Sequence, residues 1–142
     1  MDPNRTWQPL SAASHRRCWA AFLAVAAAHA ACAGLAMGTR GLAAQLFAGG
    51  VFVSSFAVYG LSMRLLDHYE GEGHDLSRTG SRIRYGAYAL AVAVWLAALA
   101  GWGGLEEKTL KALVFLSLFL NFWTAFGVFL GRDAEAERQR RR

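Results

Sequence analysis

Apolar residues run along this chain in four long stretches, broken only by isolated uncharged polar residues. The windows free of Asp, Glu, Lys and Arg are 18–37, 41–63, 85–104 and 112–131, holding 20, 23, 20 and 20 residues. A helix rises about 1.5 Å per residue and the hydrocarbon core of a bilayer is about 30 Å thick, so about 20 residues cross it. A helix on the surface of a soluble domain needs a polar stripe along one side. Residues 95–100 have none, and residues 112–120 have only Ser117. The pattern predicts an all-α integral membrane bundle of four transmembrane helices arranged as two hairpins. It divides the chain into an N-terminal segment 1–17, a first hairpin 18–63, a loop 64–84, a second hairpin 85–131 and a basic tail 132–142.

Charge orients these elements. Lys and Arg collect in cytoplasmic loops. Segment 1–17 carries Arg5, Arg16 and Arg17; the middle loop carries Arg64, Arg78, Arg82 and Arg84; the tail carries Arg132, Arg138, Arg140, Arg141 and Arg142. The two remaining loops hold only Arg40, Lys108 and Lys111. Twelve basic residues against three predict that both termini and the middle loop are cytoplasmic. The net charge of +5 is thereby assigned to topology rather than to nucleic acid, and the C-terminal arginines also suit anionic headgroups. The first window continues apolar to Met37 and carries His29, so it reads as a retained helix rather than a cleaved leader. Trp19 and Trp102 stand near helix ends, as interfacial anchors do, whereas Trp95 and Trp123 stand mid-helix.

Cysteine chemistry changes little. Cys18 and Cys32 are fourteen residues apart on one predicted helix, about 21 Å, too far for a disulfide, and both read as small packing residues.

The two hairpins resemble one another. Val51-Phe52-Val53-Ser54-Ser55-Phe56 is similar to Val114-Phe115-Leu116-Ser117-Leu118-Phe119, and the second helix of each hairpin ends at an acid, Asp67 or Asp133. A two-helix unit returns to the side it started from, so its duplication would give repeats of the same orientation. On these features the chain resembles the YiaA/YiaB family of small bacterial inner-membrane proteins. The closest stretch is Leu105-Glu106-Glu107-Lys108 followed by a Leu/Phe-rich helix stopping at Arg132-Asp133; Arg40-Gly41 and Asp67-His68-Tyr69-Glu70-Gly71 carry the resemblance in the first half. The chain departs from the family at Thr109, at Leu66, and at Ser62-Met63 and Val128-Phe129, where a polar pair is expected. The resemblance implies architecture and a bacterial inner-membrane location, and no activity.

Three features could carry function. His29 stands near the middle of the first window, where an ionisable group is costly and faces the bundle interior. Counting from the helix ends sets Ser54, Ser55, Asn121 and Thr124 at a similar depth. Such a layer could be hydrogen-bonding glue between helices, a binding site, or a place where the imidazole ligates a tetrapyrrole. The second feature is the run of Asp67, His68, Glu70, Glu72, His74 and Asp75, whose residue types could bind a divalent ion. Its glycines and the neighbouring arginines favour a solvated mixed-charge loop. The third is close packing: Ala26, Ala30 and Gly34 on the first helix, and Gly50 and Ser54 on the second, are four apart and predict a tight first hairpin. Phe115, Phe119, Phe122, Phe126 and Phe129 give the fourth helix an uncharged face suited to lipid or to a protein partner.

No phosphate loop, paired metal-ligand motif or nucleophile elbow occurs in the sequence. The expectation is a non-enzymatic accessory or structural membrane subunit without catalytic, metal or cofactor residues. Its partners are the lipid bilayer and either another protein or further copies of itself. The competing expectation is an oligomeric transporter or channel around His29.

Overall fold

The computed structural model describes residues 10–70, 76–100 and 106–141. They form four helices, α1 (Ala12–Gly38), α2 (Gly41–Glu70), α3 (Leu76–Leu99) and α4 (Glu107–Arg140), with no strand among the described residues. Each is long and apolar enough to cross a membrane. α1, α2 and α4 outrun their charge-free windows, whereas α3 begins before its window and stops at Leu99, short of residue 104. α1 starts six residues before Cys18, where the Ser11 side chain accepts the Ser14 N–H at 3.3 Å. α2 continues past Met63 to Glu70, and α4 continues through the basic tail to Arg140. Hydropathy marks the bilayer, whereas backbone hydrogen bonding sets a helix end, so the two need not coincide. In the tail, spaced side chains support the added turns, with Arg141 donating to Glu137 at 3.0 Å.

The turn between α1 and α2 is tight. Thr39 caps α1, its N–H and its hydroxyl both donating to the Leu35 carbonyl at 3.0 and 2.6 Å. Gly41 then opens α2 with φ of +60°, a left-handed conformation that glycine adopts without a Cβ clash. Arg40 sits between them, so two residues reverse the chain.

α2 is the central helix. It packs along α1 and α4, and α3 lies against its remaining side. α1 and α2 form the closest pair. Their contacts are antiparallel, Trp19 reaching Tyr69 at one end and Cys32 facing Gly50 towards the other. α4 runs parallel to α2, so Tyr69 meets Gly131 and Leu66 meets Gly127. α3 meets α4 through long side chains, Tyr88 to Asn121 and Arg84 to Thr124.

The buried positions of α2 include Ala44, Ala48, Val51, Ser55, Val58, Ser62, Leu65 and Tyr69, alternating steps of four and three. Those of α4 are Leu110, Val114, Ser117, Asn121, Thr124 and Val128, with the same alternation. A mean step of 3.5 keeps a seam facing its neighbour along a slightly supercoiled helix. Many seam residues are small, which lets backbones approach where lipid offers no hydrophobic gain from association.

The seam corrects the expectation for α1. Its buried residues are Cys18, Phe22, His29, Ala33 and Ala36. Ala26 is half-buried, while Ala30 and Gly34 are exposed, and a Cβ on Gly34 would meet nothing. Strict four-residue steps overshoot a turn by about 40° each, so a stripe at 26, 30 and 34 rotates out of the interface. Gly50, by contrast, does face α1: a Cβ there would lie 3.1 Å from the Cys32 sulfur.

Two apolar clusters fill the seams. One gathers Cys18, Phe22, Val58, Leu65, Leu66, Tyr69 and Val128; the other gathers Ala33, Ala36, Ala48, Val51, Phe52, Leu110 and Val114. The similar segments beginning at Val51 and Val114 thus lie side by side in the second cluster. On α1, α2 and α4, the buried positions between the two clusters are polar: His29, Ser55, and Ser117, Asn121 and Thr124.

α3 is more loosely held. Tyr88 is its one buried side chain among those described. Trp95 anchors its far half, lying flat where a Cβ on Gly49 would stand and donating its indole N–H to the Gln45 carbonyl at 2.8 Å. Near its start, Tyr59 and Ser81 share a hydrogen bond of 2.9 Å and Phe56 stacks on Tyr85.

Candidate functional site

The polar level between the two clusters is one hydrogen-bonded network. His29 is 3 % exposed, Asn121 2 % and Ser55 0 %, so their polar atoms depend on one another. His29 Nδ1 lies 2.8 Å from Ser54 Oγ, and His29 Nε2 lies 3.3 Å from the Asn121 amide nitrogen. That nitrogen also donates to Ser55 Oγ at 2.9 Å. The Asn121 carbonyl oxygen accepts the Tyr88 hydroxyl at 2.7 Å. Ser54 and Ser55 donate to the Val51 carbonyl at 3.1 and 2.8 Å.

Donor and acceptor inventories give this network one consistent direction. Tyr88 donates to Asn121, whose amide donates to His29 Nε2 and to Ser55. His29 Nε2 is then an acceptor, its proton sits on Nδ1, and Nδ1–H donates to Ser54. Both serine hydroxyls end on Val51. The imidazole is neutral in this arrangement and both its nitrogens are occupied. No buried side-chain nitrogen or oxygen among the described residues lacks a partner.

Of the five residues set at one depth, the structure therefore brings together His29, Ser54, Ser55 and Asn121. Thr124 is buried one turn further along α4, where it donates to the Leu120 carbonyl at 3.0 Å and accepts from Arg84. Arg84 also lies over the Tyr59 ring, 4.9 Å from its centroid. Tyr88 completes the layer, and sequence reasoning missed it. In a run of Ala, Leu and Val its ring reads as apolar, and counting from the window ends sets it about seven residues nearer the side predicted to be cytoplasmic than Asn121, so residue spacing gives no signal for it.

The loop cluster is only partly within view. Asp67 and His68 belong to α2, and Glu72, His74 and Asp75 lie outside the described residues, as does Trp102. No group of three or more His, Cys, Asp or Glu placed to hold a metal occurs among the described residues. Phe115, Phe119, Phe122 and Phe126 are exposed along α4, together with Trp123 at 65 %.

A second polar cluster, where the start of α1 meets the end of α2, was not anticipated. Trp19 donates its indole N–H to the Tyr69 hydroxyl at 2.6 Å, and that hydroxyl lies 2.8 Å from His15 Nε2. His68 accepts the Leu10 N–H on Nδ1 at 3.0 Å, and its ring lies 4.5 Å from that of His15. The available signal was the pairing of His15 and Trp19, one turn apart at the start of α1, with His68 and Tyr69 at the matching end of α2. The rings of His15, His68 and Tyr69 line an open cavity of about 400 Å³, closed on the α4 side by Arg132, Glu135 and Gln139.

No protein-family model, curated protein or solved structure matches this chain.

Proposed function

We propose that this chain is a small multi-pass protein of the bacterial inner membrane. Two helical hairpins have both termini in the cytoplasm, and the chain serves as a non-catalytic accessory or structural subunit of a membrane assembly. The observation that carries this reading is the closed network around His29. A site that binds a substrate needs an open valence, and here both imidazole nitrogens, the Asn121 amide and its carbonyl all have partners. In a bilayer such bonds hold helices together, each contributing about 0.6 kcal/mol on average. His29, Ser55 and Asn121 are thus a clamp that sets the register of α1, α2 and α4, and Tyr88 ties α3 to it.

Three further features support the reading. The basic residues are biased twelve to three, in favour of cytoplasmic ends. The resemblance to the YiaA/YiaB family agrees with the size and membrane setting. The aromatic face of α4 and the outer side of α3, with Leu90, Val94 and Leu96 exposed, leave surface for lipid and for a neighbouring polypeptide.

The competing reading, an oligomeric transporter or channel, has one observation in its favour: Ser54 is only half-buried, so the network meets the surface at that edge. Proteoliposomes carrying an internal pH-sensitive dye separate the two. The subunit reading expects no proton flux above that of empty liposomes. A flux that His29→Ala removes while the protein stays folded replaces it with the channel reading.

A further inference from the structure

The cavity where the start of α1 meets the end of α2 has an unusual charge pattern. Arg132 and Glu135 both line it, three residues apart on α4 and therefore on one face. They make no ion pair with each other; Arg132 has its carboxylate contact with Asp133, at 3.6 Å. The Arg132 guanidinium is instead held over the rings of Trp19 and Phe129, 5.5 and 5.8 Å from their centroids. A cation and a separate carboxylate thus border the same space.

The imidazoles add donors. Trp19 can only donate, and its N–H is shared between the Tyr69 oxygen at 2.6 Å and His15 Nε2 at 3.1 Å, which makes His15 Nε2 an acceptor with the Tyr69 hydroxyl also donating to it. That leaves the His15 proton on Nδ1. His68 accepts on Nδ1, which leaves its proton on Nε2. Neither N–H has a partner among the described residues, and both rings line the cavity. An anion alone would suit Arg132 and the imidazoles but would be repelled by Glu135. A cation alone would meet the reverse conflict. A ligand carrying both charges a few ångströms apart resolves it.

Position adds to this. Arg132 directly follows the fourth apolar window, and His15 precedes the first by three residues. On the membrane-spanning reading, on which this inference rests, the cavity stands at headgroup level, next to Trp19 at the polar–apolar boundary. Leu10 and Ala12 give it an apolar wall, and its volume of about 400 Å³ is within the range of small-molecule sites. We propose that the cavity binds the headgroup of a phospholipid that carries a primary ammonium, the phosphate on Arg132 and the imidazole N–H groups of His15 and His68, the ammonium on Glu135.

Native mass spectrometry of the delipidated full chain in a mild detergent tests this. The probes are phosphatidylethanolamine, phosphatidylglycerol and soluble phosphoethanolamine. The expected result is one phosphatidylethanolamine bound about tenfold more tightly than phosphatidylglycerol, with soluble phosphoethanolamine binding far more weakly. Glu135→Gln should bring the two lipids close to equal, and Arg132→Gln should weaken both by about tenfold. Arg132 is exposed and Glu135 half-buried, and neither belongs to the apolar clusters, so the variants should fold, and far-UV circular dichroism verifies that. Equal binding of the two lipids by the unaltered chain, or lipid binding indifferent to both substitutions, overturns the proposal. Soluble phosphoethanolamine binding as tightly as the lipid would overturn the lipid assignment and make the ligand a soluble one. Whether the chain leaves cell membranes only with detergent tests the membrane reading separately.

Discussion

Replacing Asn121 by leucine, which has a similar shape, should loosen the bundle by an amount that can be worked from its contacts. The substitution removes the donor to Ser55 at 2.9 Å, the longer donor to His29 at 3.3 Å and the acceptor for Tyr88 at 2.7 Å. At about 0.6 kcal/mol per interhelical bond the loss is about 2 kcal/mol. That shifts the folding equilibrium roughly thirtyfold, since about 1.4 kcal/mol corresponds to a factor of ten. Tyr88 and His29 are each left with an unpaired polar atom, which pushes the cost upward. The assay is unfolding by sodium dodecyl sulfate in mixed micelles, followed by far-UV circular dichroism. A double-mutant cycle sharpens it. Tyr88→Phe with Asn121→Leu should show a coupling of about 0.6 kcal/mol, whereas His29→Leu with Asn121→Leu should show less, because that bond is longer. An Asn121→Leu variant as stable as the parent, or a Tyr88–Asn121 coupling of zero, would refute the idea that the layer clamps the helices.

Further substitutions probe the packing and the topology. Gly49→Ala puts a methyl group where the Trp95 ring lies, so it should cost about 1–3 kcal/mol in the same assay, and Gly49→Ala/Trp95→Ala should cost no more than Trp95→Ala alone. Gly34→Ala, on the exposed side of α1, should be neutral or stabilising by up to about 1 kcal/mol; a marked loss would return Gly34 to the interface. In a background lacking Cys18 and Cys32, a cysteine at Thr39 should react with an impermeant maleimide on intact spheroplasts. A cysteine at Ala136 should react only after the membrane is opened, and the reverse pattern would invert the charge-based orientation.

The helices were legible because charge is expelled from four windows of membrane length. Their ends were not. Nothing in hydropathy marks where hydrogen bonding stops, so α2 passes Met63 and α4 passes Gly131 unannounced. The polar level was legible in part, because His29 and Asn121 stand out against aliphatic neighbours and can be located by counting turns. Tyr88 was hidden by its apolar ring, and Thr124, a turn away, is engaged by Arg84. The packing face of α1 was misread for a plain reason. Residues 26–31 contain five alanines, so composition distinguishes no side, and Phe22, His29 and Ala36 set the face instead. The cluster of His15, Trp19, His68 and Tyr69 needed the register of α1 against α2, which residue spacing alone does not supply.

The most direct test of the subunit assignment is the mass of the intact assembly, taken by native mass spectrometry after tagging the chain and extracting it from its own membrane in a mild detergent. The account predicts a mass that includes other polypeptides in fixed ratio, whose identities would name the process served. A mass corresponding only to copies of this chain would contradict the account and move the assignment to a small channel or transporter built around His29.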